Sequence, residues 1–309
     1  MSKILLVDDE QNILNALRRE LHDHFEVETF ADPVAALEHC RNTQFDLVIA
    51  DYNMPEMDGL EFLKQLGRIQ PDASRMLLSG HADIDTLIRT INETHVYRFI
   101  AKPWEKAELI ASVEQALSYR DAILKNRLQA NRRRPSAAAQ EPPVFRIVLV
   151  ESDAHLRTLM ARSLTDENDH GSLYGAIQQE LQQGASATKF QCTVESFENA
   201  HAALAHVEQN PCDLIVCAQS LSDMDGIQLL SKMRQIWPDV ARILISSEPD
   251  KSMLSQAINE AAVQNLLHLH WDNYELRANA RRQAWNLHQL KTATIQALAA
   301  RELLRGVQH

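Results

Sequence analysis

Residues 45–59 read FDLVIADYNMPEMDG. Within them Leu47-Val48-Ile49-Ala50 is an apolar run with the length and composition of a fully buried strand. The run stops at Asp51 and the chain then breaks at Pro55 and Gly59, two strong turn residues. A carboxylate at the carboxyl end of a buried strand lies where open α/β sheets place their chemistry. The same pattern returns at 212–226 as CDLIVCAQSLSDMDG, with Ala218 in the place of Asp51.

Outward from this stretch the pattern is regular. Ile4-Leu5-Leu6-Val7 is another buried-strand run and ends in Asp8 and Asp9. Ile13, Leu14, Leu17 and Leu21 recur at helical spacing. Val27 and Phe30 mark a short strand, and Asp32-Pro33 opens a helix over 34–40, with Asp as cap and Pro in the first turn. Leu60, Phe62, Leu63 and Leu66 predict a helix closed by Gly67 and Pro71. Met76-Leu77-Leu78 predicts a strand ending in Ser79-Gly80, residues 84–91 a helix, and 97–101 a strand ending at Lys102-Pro103. A last helix starts at Trp104 or Glu105 with Leu109, Val113, Ala116 and Leu117 on one face. Five β-α units in succession imply a parallel sheet with helices on both faces. Asp8, Asp9, Asp51, Ser79 and Lys102 all follow strands, so a doubly wound sheet brings them to one edge.

Crowded carboxylates repel one another unless a cation lies between them. An all-oxygen set suits Mg²⁺, which takes one or two carboxylates and keeps waters for a phosphate. An ammonium and a hydroxyl facing the same point bind phosphoryl oxygens, and a carboxylate accepts a phosphoryl group as an acyl phosphate. Singly these residues read as a helix cap, a turn hydroxyl and a solvated lysine; five at matching positions read as a site. VDDE at 7–10, DYNMP at 51–55, MDG at 57–59, SG at 79–80 and KPW at 102–104 resemble, in order and spacing, the receiver domain of bacterial response regulators, over residues 2 to about 119. The resemblance implies a flavodoxin-like (CheY-like) five-stranded fold in which a histidine kinase or phosphotransfer protein phosphorylates Asp51. It implies Asp9, Asp51 and the backbone carbonyl of Asn53 as Mg²⁺ ligands, with Asp8 acting through water. It further implies Ser79 as switch hydroxyl, Lys102 as phosphate-pairing lysine and Phe99 as switch aromatic.

The second half repeats the first. Residues 146–150 repeat 3–7 at an offset of 143, and from Phe30 to Trp104 the offset is 167, ending at Phe197 to Trp271. The two offsets differ by 24, which places an insertion at about 166–188, with Gly171, Gly175 and Gly184 around a short helical stretch. Asp8, Asp9 and Asp51 become Glu151, Ser152 and Ala218, Lys102-Pro103 becomes Leu269-His270, and only the hydroxyl survives, as Ser246. This copy is expected to be a pseudo-receiver that takes no phosphoryl group and holds no Mg²⁺. His268, His270 and Cys217 are candidate polar lining for a repurposed pocket, without metal-ligand spacing. The expected organisation is two doubly wound sheets in tandem. Residues 1–120 form the phosphoacceptor domain, 121–144 a helical extension and Pro/Ala-rich linker, 145–275 the degenerate domain and 276–309 a C-terminal helix.

Composition agrees. The 309 residues are 45% hydrophobic and 24% charged, as in a soluble globular protein of about two domains. No apolar run approaches the ~18 residues of a membrane span, and MSKILLVDDE enters a strand rather than a signal peptide. A net charge of −11 argues against a nucleic-acid-binding module. Cys40, Cys192, Cys212 and Cys217 lack CxxC spacing and read as free thiols in a reducing cytoplasm. Arg132-Arg133-Arg134 reads as the solvated end of a long helix, and the helical extensions offer a seam for homodimer pairing. No helix-turn-helix, nucleotidyl-cyclase or phosphohydrolase motif follows, so output is expected through a protein effector. Two rivals stand beside this reading. An Mg²⁺-dependent phosphohydrolase would use the same aspartyl nucleophile but wants a second acid two residues on, where Asn53 stands. A phosphorylation-independent scaffold would bind partners whatever the state of Asp51.

Overall fold

A computed structural model describes residues 1–80, 83–94, 96–132, 144–165, 191–269 and 273–306. The chain folds as two successive repeat units, each built on one five-stranded parallel sheet. The first unit runs β1 (Lys3–Val7), α1 (Gln11–Leu21), β2 (Glu26–Phe30), α2 (Pro33–Cys40), β3 (Leu47–Asp51), α3 (Gly59–Ile69), β4 (Ser74–Ser79), α4 (Ile84–Thr94), β5 (Arg98–Ala101) and α5 (Lys106–Arg132). Its strand order is β2-β1-β3-β4-β5. The central strands are apolar on both faces, because helices cover both. Ile4, Leu6, Leu47 and Ile49 pack with Leu14, Leu17, Leu109 and Val113. Leu5, Val7, Val48 and Ala50 pack with Ala36, Leu37, Phe62 and Leu63 on the other side. Each Leu, Ile, Val or Phe among them stabilises the fold by about 1.5–3 kcal/mol relative to exposure. Asp32 caps α2 as its sequence suggests, accepting from the amides of Val34 at 2.8 Å and Ala35 at 3.3 Å.

Three local expectations need correction. Gly67 does not end α3; the helix runs through it to Ile69. A Cβ at Gly67 would collide with the Arg75 guanidinium, so this glycine serves close packing rather than a stop. The turn comes at Gln70, whose buried amide donates to the carbonyls of Cys40 and Thr43 and accepts from the Phe45 amide. Helix α4 continues three residues past 91, with the Thr90 and Thr94 hydroxyls donating to carbonyls four residues back. Helix α5 starts at Lys106 rather than at Trp104 or Glu105, and it continues to Arg132 as its periodicity suggests.

The second unit repeats the topology. It runs β6 (Val144–Val150), α6 (Ala154–Thr165), β7 (Gln191–Phe197), α7 (Ala200–Gln209), β8 (Leu214–Ala218), α8 (Gly226–Ile236), β9 (Ala241–Ser246), α9 (Lys251–Asn259), β10 (Asn265–His268) and α10 (Asn273–Gly306) in sequence. The strand order is β10-β9-β8-β6-β7, the order of the first sheet with β6 in the place of β1. Ile147, Leu149, Leu214 and Val216 pack with Met160, Leu164, Leu276 and Ala280, so the first turns of α10 close this core. The insertion expected at 166–188, the linker over 133–143 and residues His270 and Trp271 lie outside the described residues. No helix among the described residues is long and apolar enough to cross a membrane. The four cysteines form no disulfide, and burial pushes the thiols of Cys40 to about 11 and Cys212 to about 12, the state of inert packed thiols.

Candidate functional site

Register assembles the first site. β1 pairs with β3 so that Val7 lies opposite Ala50, which sets Asp8 beside Asp51. β4 pairs with β5 so that Ser79 lies opposite Ala101, and the Lys102 amide donates to the Ser79 carbonyl at 2.9 Å. The loop after β3 returns tightly: the Gly59 amide donates to the Tyr52 carbonyl at 2.9 Å, and any Cβ at Gly59 would strike the Asp51 carbonyl. Asp58 then caps α3 through the Glu61 amide at 2.8 Å. That close approach is what the MDG sequence supplies.

At the edge so formed, the Lys102 ammonium lies 2.5 Å from Asp51 Oδ1 and donates to Asp8 Oδ2 at 2.9 Å. Asp8 is fully buried and Asp51 is 4% exposed. Backbone amides complete the carboxylates: Asn53 N donates to Asp51 Oδ2 at 2.7 Å and Glu10 N to Asp8 Oδ1 at 2.9 Å. Burial raises the Asp8 carboxyl above its usual range, and the bonds from Lys102 and Glu10 offset this only in part. Burial opposes the charge on Lys102, yet its hydrogen bonds and attraction to Asp51 and Asp8 outweigh it and raise its pKa. The lysine therefore stays charged, and it neutralises two acids that burial would otherwise penalise.

The remaining expected residues fall around this centre. Ser79 is buried at the end of β4, Phe99 is half-buried against the apolar cluster on the α2–α3 side, and Asp9 is exposed. Asn53 meets Asp51 through its amide. The donor set is all oxygen, with no imidazole or thiolate, and fits a hard divalent cation. Among the described residues no three His, Cys, Asp or Glu side chains yet share one coordination point, since Lys102 sits between Asp8 and Asp51 while Asp9 is exposed. Sequence reading passed over Tyr52 and Thr86. The Thr86 hydroxyl donates to the Tyr52 hydroxyl at 3.2 Å, which ties the residue after Asp51 to α4. Adjacency to Asp51 was the available signal.

The second edge holds different groups at the same positions. Glu151 is buried, which raises its carboxyl pKa, and it accepts from the Asp153 amide at 2.9 Å. The Ser152 hydroxyl donates to the Glu198 carbonyl at 3.0 Å and accepts from the Ser222 amide at 2.9 Å. Ala218 is buried, and Leu269 packs on the core. Ser246 donates to the side-chain carbonyl of Gln219 at 2.5 Å. Arg157, where the first copy has the core residue Leu14, donates to the carbonyls of Glu151 at 2.6 Å and Ser152 at 3.1 Å. Arg157 and Gln219 were not legible as site residues, because neither belongs to an inherited motif. The residues expected as polar lining of a repurposed pocket are placed as follows. Cys217 is fully buried with its thiol on the Ala218 carbonyl, His268 is exposed, and His270 lies outside the described residues.

Known proteins share this pattern. A family-wide sequence model described as "Response regulator receiver domain" matches residues 4–114 and 168–280. The second match begins after β6, although β6 pairs with β7 and β8 as β1 does with β2 and β3. The chain is 34% identical over 114 residues to the hydrogenase transcriptional regulatory protein HoxA of Bradyrhizobium diazoefficiens, covering 37% of this chain and 24% of that protein. It is 32% identical over 121 residues to the transcriptional regulatory protein PrrA of Mycobacterium leprae, covering 39% and 52%. To the cyclic di-GMP phosphodiesterase response regulator RpfG of Xanthomonas campestris it is 34% identical over 130 residues, covering 38% and 32%. The chain spans about a quarter to a half of the length of these relatives. A solved signal receiver domain of an HD domain-containing protein from Pseudomonas fluorescens is 33% identical, aligned over 39% of this chain and 98% of that one with a TM-score of 0.38.

Proposed function

The chain belongs to the response regulator receiver domain family, and from that premise we propose that its first unit is the phosphoacceptor of a two-component phosphorelay and its second a pseudo-receiver. The observation that carries this is the buried Asp51–Lys102–Asp8 cluster, opposite Ala218 in the other copy. An Asp51 carboxylate oxygen forms the O–P bond as the N–P bond of a donor phosphohistidine breaks, with the imidazole nitrogen leaving. Lys102, already charged and held at Asp51, pairs with the transferred oxygens, and Ser79 supplies a hydroxyl one strand over. Mg²⁺ held by Asp8, Asp9, Asp51 and the Asn53 carbonyl would neutralise charge on the phosphoryl group. Phe99, on β5 opposite Leu77, would transmit the change.

In the second unit Ala218 offers no nucleophile, and Ser152 and Leu269 stand where the first unit has the acid Asp9 and the lysine Lys102. The partners this reading calls for are a histidine kinase or phosphotransfer protein and a downstream protein effector, in the cytoplasm, with the α5 and α10 extensions offering a homodimer seam. RpfG is named a phosphodiesterase; the proposal for this chain is signalling, with catalysis confined to its own phosphoryl transfer. The residue two beyond Asp51 is Asn53, which donates an amide and supplies no second acid, and this disfavours a phosphohydrolase. The test is beryllofluoride with Mg²⁺ on the full chain, followed by thermal unfolding. A ligand that binds only the folded state raises the midpoint, so wild type should shift upward and Asp51→Ala should not. An equal shift in both would remove Asp51 from the reading.

A further inference from the structure

In the first copy the residue after the acceptor, Tyr52, reaches α4 through Thr86. In the second copy the same position is Gln219, and the residue matching Thr86 is the apolar Met253. Gln219 turns instead to Ser246, the one member of the site that survives, and takes its hydroxyl at 2.5 Å. Ser246 is 2% exposed and Gln219 half-buried, so this bond is partly withdrawn from water. The neighbouring loops are tied as well. Ser152 bridges Ser222 and Glu198. Asp223 accepts from the amides of Ala200 and His201 at 2.9 Å each, and from the His201 ring at 2.5 Å. Arg157 holds the carbonyls of Glu151 and Ser152 from the α6 side. Ser152 is thereby engaged by backbone groups of the unit itself and Ser246 by the Gln219 side chain.

We propose that the Gln219 carbonyl is a built-in substitute for a phosphoryl oxygen, holding the Ser246 hydroxyl and fixing the second unit in one state that phosphorylation does not control. This rests on reading Ser79 and Ser246 as the hydroxyls that answer to an occupied acceptor. The Ser152 and Asp223 ties fasten the β8–α8 loop, which begins at Gln219, to the neighbouring loops.

Amide hydrogen exchange on the full chain tests it. Loss of a buried side-chain hydrogen bond should speed exchange of the amides at the end of β9 and in the loop that follows by roughly three- to tenfold. Gln219→Ala and Ser246→Ala should each do so, and the double variant should be no faster than either single, because both remove the same bond. Exchange in β6 of the second unit should not change, which also reports that the variants are folded. Beryllofluoride with Mg²⁺ should leave the wild-type β9 segment unaltered. Unchanged exchange in Gln219→Ala, or additive effects in the double variant, would overturn the proposal. The exchange result does not depend on Asp51, so failure of Asp51 to take a phosphoryl group and failure of the Gln219 tie are separately visible.

Discussion

At the amino-terminal edge of the two sheets the copies agree almost bond for bond. Arg120 on α5 sits 3.1 Å from Asp46 and donates to the Asp72 carbonyl, and Lys291 on α10 sits 4.0 Å from Asp213 and 3.6 Å from Asp239. The Lys3 amide donates to Asp46 as the Arg146 amide does to Asp213. His39 pairs with Glu28 and His206 with Glu195, both at 2.8 Å, each ring tilted on a phenylalanine with centroids 5.1 Å apart. At the carboxyl edge the copies part. One holds two buried acids and an ammonium, and the other holds one buried acid, Glu151, with alanine at the acceptor position and leucine at the lysine position. The lower edge secures the last helix to the sheet in both units, whereas the upper edge contributes chemistry and is free to lose it.

The largest expected effect is on chemistry. Asp51→Ala should abolish phosphorylation by acetyl phosphate, while Ala218→Asp in that background should not restore it, because Ser152, Leu269 and the Gln219 tie remain. Mapping the acyl phosphate by borohydride reduction and peptide mass spectrometry decides this. Next, Lys102→Ala leaves Asp8 and Asp51 buried without their cation and should cost about 3 kcal/mol at neutral pH, read from the denaturant midpoint. Leu14→Ala should cost about 2–5 kcal/mol, since Leu14 is core. Arg157→Ala at the matching position should cost about 1–2 kcal/mol, since it removes hydrogen bonds to two carbonyls.

Acid should separate the copies in a smaller way. Burial alone would raise the Asp223 carboxyl, but the Ala200 and His201 amides and the His201 ring hold it down at about 2 against an ordinary 3.8. A depressed carboxyl stabilises above its unfolded pKa and loses that contribution as pH falls through its folded one. Protection of the β8–α8 loop amides should therefore persist at pH 4 and above and decline between about pH 4 and 2. The smallest effect belongs to Tyr52→Phe. Losing the bond to Thr86 should cost no more than about 1 kcal/mol and appear as faster amide exchange in α4 alone.

Most of the fold was legible because strands buried on both faces announce themselves as apolar runs, and because the second copy wrote them again. The meeting of Asp8, Asp51 and Lys102 was legible for the same reason: each ends or directly follows a strand, and parallel order forces strand ends together. Gly67 misled because a glycine that makes room for Arg75 looks like one that ends a helix. Tyr52, Arg157 and Gln219 were hidden because their importance lies in partners 34, 6 and 27 residues away. Spacing of that kind carries no period and becomes visible only when the sheet is folded.

Intact mass of the full chain after incubation with acetyl phosphate and Mg²⁺ puts the asymmetry of the two copies to a direct count. One phosphoryl group per chain is expected, and none in Asp51→Ala. A second phosphoryl group, or one that survives Asp51→Ala, would contradict a single acceptor at Asp51.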